Sequence, residues 1–128
     1  MIPTPTSDPS AQIEVAAAGE VLRERHQQPA SVLYLDSGRV LFGVREEGVM
    51  RHQLGSFEGP VWLDAAAALL DQPSPVDMVA DTRVQLRRIP VDDFRRSFDG
   101  LPEAAQDLLR DMAAGYCQQT ELAVSRLA

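Results

Sequence analysis

The sequence predicts one mostly-β domain that closes with helices, the last of them long. Short apolar runs separated by turn residues recur from Gln12 to Ile89, at the roughly 8-to-12-residue spacing of a β sandwich or barrel. From residue 99 the apolar period changes to three and four, the mark of a helix. The 128 residues are 45% hydrophobic, which is enough apolar material to fold around one core.

The elements follow in chain order. Residues 1–11 carry three prolines among Ser, Thr and Asp and read as a flexible lead-in. "QIEVAAAG" and "EVLRERH" flank Gly19 as two strands. In "SVLYLDSGRVLFGV" Val32, Tyr34, Val40, Phe42 and Val44 alternate, although Leu33, Leu35 and Leu41 blur the alternation. "DSG" (36–38) reads as a hairpin turn with Gly38 free to take positive φ, and "EEG" (46–48) as a second turn. "VDMVAD" and "TRVQLRRI" are two further strands. Pro90 then precedes a short helix with Asp92 and Asp93 at its favourable N-terminal end. Residues 99–128 form one long helix with Pro102 at its start and Glu103 in its first turn. The expected organisation is therefore a lead-in over 1–11, a β domain with short helices over 12–98 and the long helix over 99–128.

On that helix Leu109, Met112, Tyr116, Thr120, Ala123 and Leu127 recur as a narrow seam, with Leu108, Gly115, Gln119 and Leu122 in a row beside it. One row packs on the β domain and the other meets a second copy, so a homodimer is expected.

Composition excludes several classes. The net charge is −7 and all 12 basic residues are arginine. Such a chain binds nucleic acid poorly, because non-specific affinity comes from neutralising phosphates. The arginines of "RVQLRRI" (83–89) and "FRR" (94–96) read as solvated faces. One cysteine, Cys117, allows no intrachain disulfide and no thiolate metal set, and mid-helix it reads as a packing residue. There is no signal pattern and no apolar run of membrane-spanning length, so a cytoplasmic protein with no membrane partner is expected. His26 and His52 stand in no metal-ligand spacing, and Ser37, Ser56, Ser74 and Ser97 lack a nucleophile-elbow context. No catalytic set and no metal site is expected.

The stretch "GPVWLDAAAALLDQPSPVDM" (59–78) outlines a small anion cradle: a turn, one short helix, a Pro-broken loop and a strand. It contains no Arg or Lys. The small apolar run 65–70 could fill the cradle instead. Trp62 reads as a core residue at the barrel end.

The order of these elements resembles the cyclic nucleotide-binding domain of the catabolite activator and Fnr-type regulator family. "GEVLRERHQQPASVLYLDSGRVLFGV" is similar to that family's G-E-x-L strand followed by L-Y-x-L-x-x-G-x-V. "TRVQLRRIPVDDFRRSF" and "LPEAAQDLLRDMA" are similar to its last strand, its Phe-bearing helix and the start of its dimer helix. The resemblance implies a double-stranded β-helix, a jelly-roll-like β-roll, followed by a dimerisation helix. It also implies where a ligand would sit. Leu63-Asp64 stands where the family has Gly-Glu to grip a ribose hydroxyl. Ser74-Pro75 stands where an Arg and a Ser or Thr hold the cyclic phosphate. Gln119 and Thr120 are the nearest equivalents of its base contacts on the long helix. Asp64 is shorter by a methylene, Ser74 has no cation and Pro75 has no N–H to donate. Losing one partner of a buried charged pair at a site costs about 2–5 kcal/mol. Ordinary cyclic AMP binding is therefore expected to be lost or weak. With Asp64, Asp71 and Asp77 nearby, an uncharged or cationic effector is expected over an anion. The Fnr-type iron–sulfur cysteines are absent, and no resident cofactor is expected.

The resemblance thus points to a non-enzymatic sensory and dimerisation domain of a Crp/Fnr-type transcription regulator, in which DNA contact would belong to a helix-turn-helix region outside this chain. A stand-alone interaction module with a vestigial pocket is the alternative. A cupin-type enzyme is disfavoured by the two isolated histidines.

Overall fold

A computed structural model describes residues 12–127; the lead-in expected over 1–11 lies outside them. The described strands are β1 (Gln12–Ala16), β2 (Val21–Arg23), β3 (Ser31–Ser37), β4 (Arg39–Glu46), β5 (Val49–Glu58), β6 (Val61–Trp62), β7 (Asp77–Ala80) and β8 (Val84–Pro90). The helices are α1 (Ala65–Leu69), α2 (Val91–Asp99) and α3 (Glu103–Ser125).

Two four-stranded antiparallel sheets form, in the orders β1-β8-β3-β6 and β2-β7-β4-β5. Their pairings nest: β1 with β8, β2 with β7, β3 with β6, β4 with β5. That nesting is the double-stranded β-helix. It also corrects one local expectation. "DSG" is not a hairpin turn, because β3 and β4 lie in different sheets. It is a corner that carries the chain across the roll. Gly38 has φ 96° there, and a Cβ would come within 2.7 Å of the Arg83 carbonyl oxygen. The local hairpin is β4–β5, turned by Glu47 and Gly48 at φ 54° and 80°, the positive-φ pair that matches strand twist.

Leu33, Leu35, Val40, Val76, Met78 and Leu86 fill the space between the sheets. On the outer face of the first sheet, Val32 and Ile89 pack with Phe94 of α2 and Ala68 of α1. Trp62 joins this second cluster, edge-on to Tyr34 at 5.1 Å and tilted against Phe94 at 5.5 Å. It is a packing residue, as expected for a barrel end. The candidate arginine patches are internally paired: Arg87 with Asp36 at 2.9 Å, Arg88 with Glu14 at 2.9 Å, Arg95 with Asp71 at 2.8 Å and Arg96 with Asp93 at 3.3 Å. Of the two stretches only Arg83 has no carboxylate partner among the described residues, and it is exposed.

Pro90 and Pro102 directly precede α2 and α3, where a missing N–H leaves no bond unmade. The inward face of α3 is Ala113, Cys117, Thr120 and Val124, at spacings of three and four, and α3 packs against α1. Its outward face leaves Leu108, Met112, Tyr116 and Leu122 exposed. Among the described residues no helix is long and apolar enough to cross a membrane.

Candidate functional site

The site is a cleft of about 740 Å³ between the roll and the last turns of α3. Its floor comes from the segment after β2, from β4 and β5, and from the loop after α1. Its far wall is α3.

Backbone bonds fix the floor. His26 sits at φ 71°, an uncommon conformation for a non-glycine residue, and its N–H donates to the Ser74 carbonyl at 2.7 Å. The Ser74 N–H in turn donates to the Gln27 carbonyl at 3.0 Å. The two loops are thus clasped in both directions. Below them the buried Asp77 carboxylate accepts the Arg25 N–H at 2.8 Å and the Arg45 N–H at 2.7 Å. This joins the end of β2 to β4 and presents Arg25 and His26 along the cleft edge.

The sequence-derived residues separate into two groups. Ser74 lines the cleft, but its hydroxyl donates to the Val76 carbonyl at 2.8 Å and is buried. Its N–H is taken by Gln27, and Pro75 has none. Asp64 lies elsewhere, in the interior between α1 and the roll. Its carboxylate accepts the Arg23 Nε–H at 2.6 Å and the Leu33 N–H at 2.9 Å, and the ion pair is almost fully buried on both sides. It precedes α1 but forms no side-chain cap, because both oxygens are committed. Burial pushes the Asp64 carboxyl above its ordinary value, against the pull of Arg23 and the Leu33 amide. Thr120 faces inward and donates to the Tyr116 carbonyl one turn back at 2.8 Å. Gln119 is exposed and does not line the cleft; Gln118 does.

The acids expected to repel an anion are likewise accounted for. Asp64 is held by Arg23. Asp71 accepts from Arg95 at 2.8 Å and from the Gln28 amide at 3.2 Å. Asp77 is occupied by two backbone N–H groups. None of the three lines the cleft; the acids that do are Glu46 and Glu121.

The residues that do line it were not singled out as a set: Arg25, His26, Glu46, His52, Gln118 and Glu121. Arg25 carried no signal of its own: it lies in the turn just past β2, where the two-residue period of "VLRER" as a strand no longer applies. Arg23 and Arg25 divide into a buried ion-pair partner and a half-buried cleft residue. Glu46 lies 3.6 Å from His52 and 3.8 Å from Arg51. Apolar walls are supplied by Val44, Leu70, Pro73, Val124 and Leu127. Cys117 also lines the cleft, and burial followed by the Glu121 charge pushes its thiol up, which disfavours the reactive thiolate. Among the described residues no cluster of three or more metal-ligating side chains occurs.

The expected dimer seam is also divided by the fold. Met112 and Tyr116 are exposed, Leu109, Ala123 and Leu127 are half-buried, and Thr120 is buried. Leu108 and Leu122, from the neighbouring row, complete the exposed apolar strip.

No protein-family model matches the chain, and no curated protein sequence matches it. Solved structures do match in fold. The sensor domain of the transcriptional regulator DNR from Pseudomonas aeruginosa is 19% identical with a TM-score of 0.68, covering 86% of this chain and 74% of that one. A transcriptional regulator from Thermotoga maritima is 19% identical with a TM-score of 0.65, covering 90% of each chain. An EAL enzyme in its cAMP-bound form is 13% identical with a TM-score of 0.74; the match covers 84% of this chain but 29% of the enzyme. The chain likewise spans 52% and 54% of two further matches. At these identities the likeness establishes the β-roll followed by a helix.

Proposed function

We propose that this chain is a non-enzymatic sensory and dimerisation domain of a Crp/Fnr-type transcription regulator, sensing a small effector in the cleft between roll and α3. One observation carries the reading: the cleft is walled jointly by the loop after α1 and by the last turns of the helix that ends the fold. An occupant would touch both and bias their relative position, the differential contact a switch requires. The fold shared with two transcription-regulator structures supports the same reading. DNA contact would belong to a part of the regulator other than this domain, and its setting would be the cytoplasm.

Cyclic AMP is not the effector on this reading. In the loop where a cyclic phosphate would be gripped, the Ser74 hydroxyl and N–H are already spent and Pro75 has no donor. The exposed strip Leu108, Met112, Tyr116 and Leu122 favours a second copy as partner. It equally favours the runner-up, an interaction module whose partner is another protein.

A thermal-shift panel of cyclic AMP, cyclic GMP, cyclic dinucleotides and metabolites, with light scattering on the same sample, tests this. A ligand at about 100 times its Kd stabilises a fold by about 2.7 kcal/mol, several degrees in a domain of this size. Metabolite-induced shifts and a dimer mass are expected, with no shift from cyclic AMP. A strong cyclic AMP shift would overturn the ligand assignment, and a monomer that binds nothing would overturn the sensory reading.

A further inference from the structure

We infer that the cleft is built for a singly charged apolar acid, a monocarboxylate anchored on Arg25, with its hydrocarbon body lying against the apolar wall. This deepens the proposed sensory reading and rests on it.

Arg25 is the reason. Arg25 is the one arginine that lines the cleft; Arg23 and Arg95 nearby are held by carboxylates, and Arg83, Arg110 and Arg126, which lack such a partner among the described residues, do not line it. The Arg25 guanidinium has no such partner among the described residues, although the residue is half-buried at the cleft edge. Its backbone is pinned by Asp77, and its neighbour His26 is pinned to Ser74. The cation is therefore set on a fixed base, and a guanidinium pairs with a carboxylate through two parallel hydrogen bonds. The cation that the loop after α1 lacks is supplied from the strand side of the cleft.

Charge and lining narrow the class. Glu46 lies 3.8 Å from the Arg51 guanidinium, and Glu121 stands on the α3 wall. One arginine against that background neutralises one negative charge, and a phosphate dianion would leave a second unpaired. Val44, Leu70, Val124 and Leu127 offer the rest of the ligand an apolar surface. A volume of about 740 Å³ accommodates a molecule of drug-like size.

The test is calorimetry on the intact chain with 4-phenylbutyrate, its neutral carboxamide and phenyl phosphate. In the wild type the carboxylate is expected to bind about tenfold or more tighter than the carboxamide, the value of one charge-assisted pair. In Arg25→Gln that ratio should fall to about one, while Arg83→Gln, on an exposed loop away from the cleft, should keep it. The wild-type comparison of acid and amide stands even if Arg25→Gln does not fold. Equal binding of acid and amide, or binding unmoved by Arg25→Gln, overturns the Arg25 assignment and leaves the cleft as an effector site. Tighter binding of phenyl phosphate overturns the carboxylate class. No binding by any of the three overturns this inference, while the metabolite panel separately decides the sensory reading.

Discussion

Asp64 and Arg23 show how one side chain can have a site-like signature and a structural task. The pair is almost fully dehydrated, and each ion needs the other. The two ions differ in what they can do alone. A stranded carboxylate can take up a proton, and burial already pushes Asp64 in that direction; a stranded guanidinium cannot shed one. Asp64→Asn should therefore cost about 3–5 kcal/mol by urea unfolding at neutral pH. Arg23→Met should cost less, and its deficit should shrink as pH is lowered from neutral. The direction follows from the shift: an acid whose folded pKa lies above its unfolded value loses stability as pH rises between the two. An Arg23→Met deficit that grows on acidification would contradict the assignment. Combining the two substitutions should cost less than Asp64→Asn alone, because Arg23→Met removes the guanidinium that Asp64→Asn leaves buried without a counter-ion. From sequence Asp64 could be placed before a short helix but not turned inward. Its direction depends on Arg23, 41 residues away in the chain, and neither periodicity nor local spacing encodes that pairing. Arg25 was obscured for the same reason, since its place in the cleft and its lack of a carboxylate partner among the described residues show only in the folded chain.

At the level of elements, β1 is an edge strand tied to the roll by its ladder to β8 and by the Glu14–Arg88 pair. The Arg88 hydrogen bond holds the Glu14 carboxyl below its ordinary value. The pair's contribution is thus present above the ordinary carboxylate pKa and is lost as pH falls through the lowered folded value. Glu14 is more than a third exposed, so solvent screening keeps the contribution below about 1 kcal/mol. Glu14→Gln should flatten that acid arm of the stability–pH curve and leave neutral stability nearly unchanged, as measured by denaturant midpoints from pH 3 to 7. The long helix makes a separate prediction. Met112 is 62% exposed, so Met112→Glu should change the monomer's stability by no more than about 0.5 kcal/mol. If a second copy covers the strip, light scattering should show the variant falling from dimer to monomer mass. A variant that keeps the wild-type mass would move the partner surface elsewhere. The helix itself, its Pro102 start and its two apolar rows were legible in the three-and-four spacing. Which face turns inward was not, because the exposed strip and the buried face both recur at that spacing and only the packing of α3 on the rest of the domain tells them apart.

For the whole molecule, the jelly-roll class could be read from turn spacing and a change of period, and its nesting could not. The corner at Gly38 looks like a hairpin turn because both need a positive-φ glycine; only the pairing of β3 with β8 and of β4 with β7 distinguishes them. That nesting gives the cleft its working property. It places the loop after β2, the loop after α1 and the end of α3 around one volume, although they are distant in sequence. The three walls differ in stability. The sheets carry the fully buried core, whereas the last turn of α3 is anchored by Val124 and Leu127 beside exposed Ser125 and Arg126. Helix ends with few buried contacts open locally at low free energy. An occupant of the cleft would add contacts where they are fewest, so binding and helix order should reinforce each other. Hydrogen exchange with the strongest binder of the panel should slow amides over 113–127 and 70–76, and leave those of 31–42, already in the core, near their unliganded rates. Slowing spread evenly over the chain would mean that the ligand stabilises the fold globally without addressing α3. Slowing confined to the loops would mean that the helix does not sense the cleft, and the link from occupancy to a partner copy would be lost.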